Sequence, residues 1–374
     1  MLELSSKEYY NRVFGSWLGR VAGDFVGIPV EAKSYEVIKK KYGDITDYPE
    51  PIDLNHVNDD EMYEIVALIA MEKYGVNITA QQIAQEWLNL LNREDNMFTA
   101  EKIAIDNLKA GILPPKSGIL NNFYYDFIGA QMRADIWGQI TPGCPEIAKN
   151  YAQIDGSISH AGVGIEGEVF LAVLISQAFF ESDVRKNIED ALKYIPPEKD
   201  SLFTQTVMKA IDIYEKNRID FRAARKILIK DYWIKELIKK VLKSSLVFQR
   251  DIVRHLLLNS WIGMIHTLPN IGIIILSLLY GAQDKEDPFG RSICIAAMMG
   301  YDTDCNCGNI GALMGAIYGA DKIPAKWKNP LQDTFSTFVK GHEKWKISEL
   351  ARRIANIGEK VIKEKAQNIV RITN

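Results

Sequence analysis

The sequence predicts an all-α protein, and three observations carry that prediction. Apolar residues recur at three- and four-residue steps through most of the chain. Alternating strand patterns are scarce. Two helical stretches carry glycine at helical spacing, a pattern that suits helices packed close together. The first helix is read over 6–27, "SKEYYNRVFGSWLGRVAGDFVG". The stretch 61–75, "EMYEIVALIAMEKYG", is apolar around most of its circumference and predicts a central helix. The segments 167–182, 251–266 and 309–319 continue the pattern. Candidate loops lie at 43–58, 111–118, 141–145, 195–199 and 283–290.

An interior glycine costs a helix about 1 kcal/mol relative to alanine, so something must offset the cost. Gly15, Gly19, Gly23 and Gly27 repeat along the first helix, and Gly308, Gly311, Gly315 and Gly319 along a late one. Close helix–helix approach is the simplest compensation, and the two helices are expected to touch.

With no evident linker and no internal repeat, the 374 residues are read as a single domain, 1–374, in which 341–374 forms an amphipathic helical tail. A hydrophobic content of 47% and a charged content of 25% suit a protein with a sizeable core. The net charge of −3 gives no general reason to expect nucleic acid or an acidic membrane as partner. The Lys/Arg content of 195–250 reads as a solvated helix face. The opening "MLELSSKEYY" is too polar for a signal peptide, and the apolar run at 271–282 is far short of a membrane span. Cys144, Cys294, Cys305 and Cys307 suggest no disulfide framework, so reduced thiols and a cytoplasmic location are expected.

Two compact acid groups carry the chemistry. One is Asn58, Asp59, Asp60, Glu61 and Glu64; the other is Asp302 and Asp304 within "YDTDCNCGN". Each precedes a strongly apolar helix. Helix capping would explain one such residue per helix. Several carboxylates drawn inward together are costly, and a divalent cation would replace their repulsion by coordination. Oxygen donors without a His/Cys cluster point to a hard ion, Mg²⁺ or Mn²⁺. The EF-hand pattern is absent, and Gly162-Val163-Gly164 lacks the spacing of a phosphate-binding loop.

Six segments, taken in order, resemble the ADP-ribosylglycohydrolases. These are "GSWLGRVAGDFVGIPVE" (15–31), "VNDD" (57–60), "IGAQMR" (128–133), "SISH" (157–160), "HTLPN" (266–270) and "YDTDCNCGNIGALMGAIYGADKIPAKW" (301–327). The last resembles the branch of the family with a D-T-D-C-N motif. The resemblance implies an all-α fold with two Mg²⁺ or Mn²⁺ ions at the bottom of a cleft. Asn58, Asp59, Asp60 and Asp304 would hold one ion; Asp302, Asp304 and residue 305 would hold the other, with Asp304 bridging. Position 305 is Cys305, a soft and poor ligand for Mg²⁺. Asn58, Ala130 and Gln131 also depart from the family pattern.

The implied reaction is hydrolysis at C1″ of an ADP-ribosyl group, on a protein or a small compound. Asp59, Asp60 and Glu31 are candidates to accept the proton of the attacking water. His160, Gln131, Arg133 and His266 are candidate substrate contacts, although a buried histidine or a structural Arg133–Asp135 pair would also explain their residue types. Glu64 could support the ligands from one turn along the helix. Phe127 and Trp137 could line a base pocket or pack in the core. Hydrolysis of another ribosyl N-glycoside or of a phosphoester, and a non-catalytic metal- or nucleotide-binding role, are the alternatives.

Overall fold

The computed structural model describes residues 1–91, 97–233 and 261–373. Helix α1 (Ser6–Gly27) begins where the Ser5 hydroxyl accepts the Glu8 amide, an N-cap that satisfies one free helix donor. It lies antiparallel against α10 (Thr303–Tyr318), every residue of which is buried from Thr303 to Ile317. The glycines explain the approach. A Cβ on Gly15 would lie 2.5 Å from the Gly315 carbonyl oxygen, one on Gly19 2.5 Å from the Gly311 carbonyl carbon, and one on Gly27 2.5 Å from Asp304 Cα. The expected touch between the glycine-bearing helices is therefore a backbone-to-backbone contact.

Around this pair pack α2 (Asp60–Tyr74), α3 (Ala80–Leu90), α4 (Thr99–Lys109), α5 (Pro145–Gly156), α6 (Val163–Ala178), α7 (Leu202–Lys216), α8 (Thr267–Gly281) and α9 (Pro288–Met299). Helix α8 is buried along its whole length. A short helix, Asp135–Gln139, docks on α1: Trp17 Nε1 donates to Gln139 Oε1 at 2.8 Å, and Gln139 Nε2 donates to Ser16 Oγ at 2.8 Å. The main apolar cluster runs from Leu4 to Val361 and encloses Trp17, Trp87, Trp137 and Trp327. No helix among the described residues is long and apolar enough to cross a membrane.

The tail differs from the expected single helix. Strand β2 (Thr334–Ser336) pairs antiparallel with β3 (Lys344–Lys346), and α11 (Ile347–Val361) follows. The chain then ends in β4 (Val370–Thr373), which pairs in parallel with β1 (Leu2–Ser5), Leu2 opposite Val370. Helix α11 is amphipathic and buries Ile347, Leu350, Ile354 and Val361. The "NIVRIT" end carries β-branched residues on both faces, which favours extension over helix. The helical pattern read over 251–266 lies outside the described residues for 251–260. Trp261–Ile265 forms one 3-10 turn, and His266 is extended backbone that caps α8 through Nδ1, which accepts the Leu268 amide at 3.1 Å. The basic stretch 195–250 lies outside the described residues from 234 onward.

Candidate metal centre and cleft

Four remote stretches deliver acids to one cavity of about 310 Å³, Glu101 of α4 on one wall and three groups that face one another. Glu31 follows the 3-10 turn Ile28–Val30 that ends α1. Asn58, Asp59 and Asp60 stand at the start of α2, and Asp302, Asp304 and Cys305 at the start of α10. The tight α1–α10 contact places the first and third stretches together; Thr303 Oγ1 fixes the junction by donating to the Gly27 carbonyl at 2.8 Å.

The capping explanation for these acids does not describe the structure. Asp59 and Asp302 occupy the N-cap positions of α2 and α10, yet neither side chain makes a capping hydrogen bond. The carboxylates form two overlapping groups instead, Asp60 with Asp304 and Cys305, and Glu31 with Asp302 and Asp304. Within each group, candidate donor atoms lie within 4.8 Å of one another. Asp304 belongs to both. Asp59 lines the same cavity outside these two groups, and so does Asn58, whose Oδ1 accepts the Asp59 amide at 2.9 Å.

The electrostatics are those of an uncompensated anionic site. Burial drives the Asp302 carboxyl well above its ordinary range, and Asp304 adds to it. Burial does the same to Asp59, again with Asp304 contributing. Asp60 is raised by burial against the opposing pull of Arg20. Glu31, exposed at the mouth, is pushed up to about 8, chiefly by Asp304. Asp304 Oδ1 is buried without a hydrogen-bond donor among the described residues. A donor set dominated by carboxylates, with a buried oxygen left unpartnered, fits a hard divalent cation. Cys305 is held as a thiol: burial raises it, and its Sγ lies 3.3 Å from Asp60 Oδ1 as donor.

Sequence reading missed Arg20, whose only signal was a cation within the glycine-rich "GRVAGD". It is fully buried. Nη1 binds Asp135 Oδ2 at 2.7 Å and Nη2 binds Asp60 Oδ2 at 3.1 Å. Nε lies 3.7 Å from both Asp24 and Glu64. Glu64 also accepts the Ile136 amide at 2.7 Å, so it ties α2 to the Asp135–Gln139 helix.

Arg133 is also structural, but its partners are not the expected one. Asp135 is taken by Arg20 and by Asn309 Nδ2, at 2.8 Å. Arg133 turns the other way, to Asp155 at 2.7 Å, Glu101 at 2.9 Å and Ser159 Oγ at 3.0 Å. Ser159 Oγ, which accepts from Arg133, also lies 2.8 Å from His160 Nδ1 in a hydrogen bond. His160 Nε2 faces Glu101 Oε1 at 3.8 Å; burial and Arg133 keep the ring neutral.

Arg133, His160 and Gln131 are buried behind the cavity wall and do not line it, whereas Glu101 does. His266 backs the wall as well, its ring 5.2 Å from that of Phe127 and its Nε2 3.6 Å from Asp126. Phe127 faces the cavity, as do Phe98 and Phe338. Trp137 is a core residue stacked on Tyr151.

Comparison with known proteins agrees with this architecture. The family model described as ADP-ribosylglycohydrolase matches residues 5–363. A protein of Archaeoglobus fulgidus described as uncharacterized is 24% identical over 326 residues, covering 84% of this chain and 90% of its own. The ADP-ribosylhydrolase ARH3 of Xenopus tropicalis is 23% identical over 341 residues, covering 85% and 90%. A solved structure described as an ADP-ribosylglycohydrolase-related protein complex shares the fold, with a TM-score of 0.55 at 15% identity over 94% of this chain and 99% of that one. All the acids of the cleft, from Glu31 to Asp304, fall inside the matched span, and the chain thus belongs to the ADP-ribosylglycohydrolase family and is a glycosidic-bond hydrolase of that type.

Proposed function

We propose that the protein removes ADP-ribosyl groups by hydrolysis of the glycosidic bond at C1″, with two Mg²⁺ or Mn²⁺ ions held between α2 and α10. The observation that carries this reading is the pair of acid groups sharing Asp304, whose mutual repulsion the protein leaves largely uncompensated. Asp302 and Asp304 would hold one ion. Asp60 and Asp304 would hold the other, with Asn58 and Asp59 beside them on the cavity wall. Cys305 is occupied as a donor to Asp60 and leaves the ligand set to oxygen. Bound divalent cations supply polarisation of ribosyl oxygens and a lowered pKa for water in the cleft.

Of the three candidate bases, Asp60 is committed to Arg20 and Cys305, and Asp59 is half-buried on the cavity wall. Glu31 is exposed and lies beside Asp302 and Asp304, which leaves it as the candidate to accept a proton from attacking water. Phe98, Phe127 and Phe338 give the cavity an aromatic side on which a planar base can stack. The substrate would be an ADP-ribosylated protein or a small ADP-ribosyl compound. A cytoplasmic setting suits the four free cysteines.

The test is release of free ADP-ribose from arginine-, serine- and nucleic-acid-linked substrates with Mg²⁺ or Mn²⁺, comparing wild type with Asp302→Asn and Asp304→Asn. Metal-dependent release lost in both variants supports the reading. No release from any of these by folded, metal-loaded wild type overturns the substrate assignment and redirects the search to other ribosyl N-glycosides and phosphoesters.

A further inference from the structure

We infer that Arg20 is a positioning residue for the cations of the cleft: it clamps Asp60 through Oδ2 so that Oδ1 alone is presented to them. This rests on the reading of Asp60 as a cation ligand. A free carboxylate can turn about its last bond and chelate through both oxygens or swing away. Here Nη2 of Arg20 holds Oδ2 at 3.1 Å, and the Cys305 thiol donates to Oδ1 at 3.3 Å from the cavity side. The two contacts define the plane of the carboxylate.

Arg20 is itself fixed. Its Nη1 binds Asp135 Oδ2 at 2.7 Å, and the other oxygen of Asp135 receives Asn309 Nδ2 at 2.8 Å from α10. Asp24 and Glu64 flank Nε, each at 3.7 Å. Gly308 makes room for this arrangement: a Cβ there would overlap Asp24 Oδ1 and lie 3.3 Å from Arg20 Nε. The guanidinium thus ties α1, α2, the Asp135–Gln139 helix and, through Asp135, α10 to one ligand. Its planar fork can reach Asp60 and Asp135 together, whereas an ammonium is a single point of charge. Groups that orient metal ligands from behind typically contribute about 10- to 100-fold in metal affinity.

A purely structural ion pair would predict something different: lost stability with unchanged cation binding. The experiment measures Mn²⁺ binding from the electron paramagnetic resonance signal of the free ion, with thermal unfolding and circular dichroism on the same samples. Wild type is compared with Arg20→Lys, Asp135→Asn and Asp155→Asn. The last removes an equally buried arginine–aspartate pair at Arg133 without touching Asp60. The expected result is folded Arg20→Lys and Asp135→Asn proteins with Mn²⁺ affinity about tenfold or more below wild type, while Asp155→Asn loses stability and keeps its affinity. If Arg20→Lys fails to fold, Asp135→Asn decides. Affinities within threefold of wild type in the folded variants, or an equal loss in Asp155→Asn, overturn the inference about Arg20 and leave the metal reading standing. Absence of Mn²⁺ binding by wild type overturns both.

Discussion

Replacing Gly19 by alanine tests the central packing argument. The new Cβ would overlap the Gly311 carbonyl oxygen and lie 2.5 Å from its carbon, where carbon–carbon contact needs about 3.5 Å. Both sides of the contact are backbone, so no rotamer change relieves it; α1 and α10 must move apart by about 1 Å. Overpacking of a core typically costs about 1–3 kcal/mol, and a rigid backbone contact belongs at the upper end. Alanine returns about 1 kcal/mol through helix propensity. The net expectation is a destabilisation of about 2 kcal/mol, which lowers Tm by about 2.5 °C for a chain of this size. Because α1 carries Arg20 and α10 carries Asp304, Mn²⁺ affinity should fall as well. Thermal unfolding with and without Mn²⁺ reads both effects. A Gly19→Ala protein as stable as wild type, or more so, would refute the reasoning, since propensity alone would then decide the outcome.

Asp302→Asn and Asp304→Asn each remove a charge from a repelling group. The metal-free variants should unfold at higher temperature than metal-free wild type, by about 1 kcal/mol of stability, and lose the Mn²⁺-induced rise; differential scanning fluorimetry shows both, and a metal-free Tm below wild type counts against the electrostatic account. Glu31 has its folded-state pKa raised from 4.5 to about 8, so the folded protein holds a proton that the unfolded chain releases. Its contribution is full below 4.5 and is lost as pH rises through about 8. Denaturation of the metal-free protein across that window should show stability falling with pH, and Glu31→Gln should flatten the slope; an unchanged slope in the variant contradicts the assignment. Arg133→Lys trades directed bonds to Asp155, Glu101 and Ser159 for one ammonium and should cost about 3 kcal/mol in urea unfolding while Mn²⁺ affinity holds. A parallel loss of affinity would show that the two buried arginines are not separate.

The sequence made the anionic half of the site legible and left its surroundings obscure, for a physical reason. Several acids together ahead of an apolar helix exceed the one that capping needs, so Asp59, Asp60, Asp302 and Asp304 could be named, and the glycine spacing foretold that α1 and α10 would meet. Partner choice among buried charges is set by rotamers and helix orientation, which leave no trace in spacing. Arg133 and Asp135 are two residues apart and looked like a pair, yet each serves a different network. Glu101 had no motif to mark it; it reaches the cavity over Gly129, where a side chain would collide with its carboxylate. The tail is helical and amphipathic over its middle, as read, and its end departs for a similar reason, because the partner of β4 is a strand at the opposite end of the chain.

Charge balance links these observations to function. Arg20 is shared among Asp24, Asp60, Glu64 and Asp135, so it cannot also neutralise Asp302, Asp304 and Glu31. Arg133 is likewise committed to Glu101 and Asp155 behind the wall. The fold therefore commits Arg20 and Arg133, the two fully buried arginines among the described residues, to the scaffold of the cleft and leaves the cavity itself anionic. Any cation that binds the folded chain and not the unfolded one would stabilise it, by an amount that grows with the logarithm of its concentration above Kd. On the proposed two-cation reading, stability and catalytic readiness would be set by the same ions. On that reading, the acids that weaken the empty fold would be the ones that favour a small, hard, doubly charged ion.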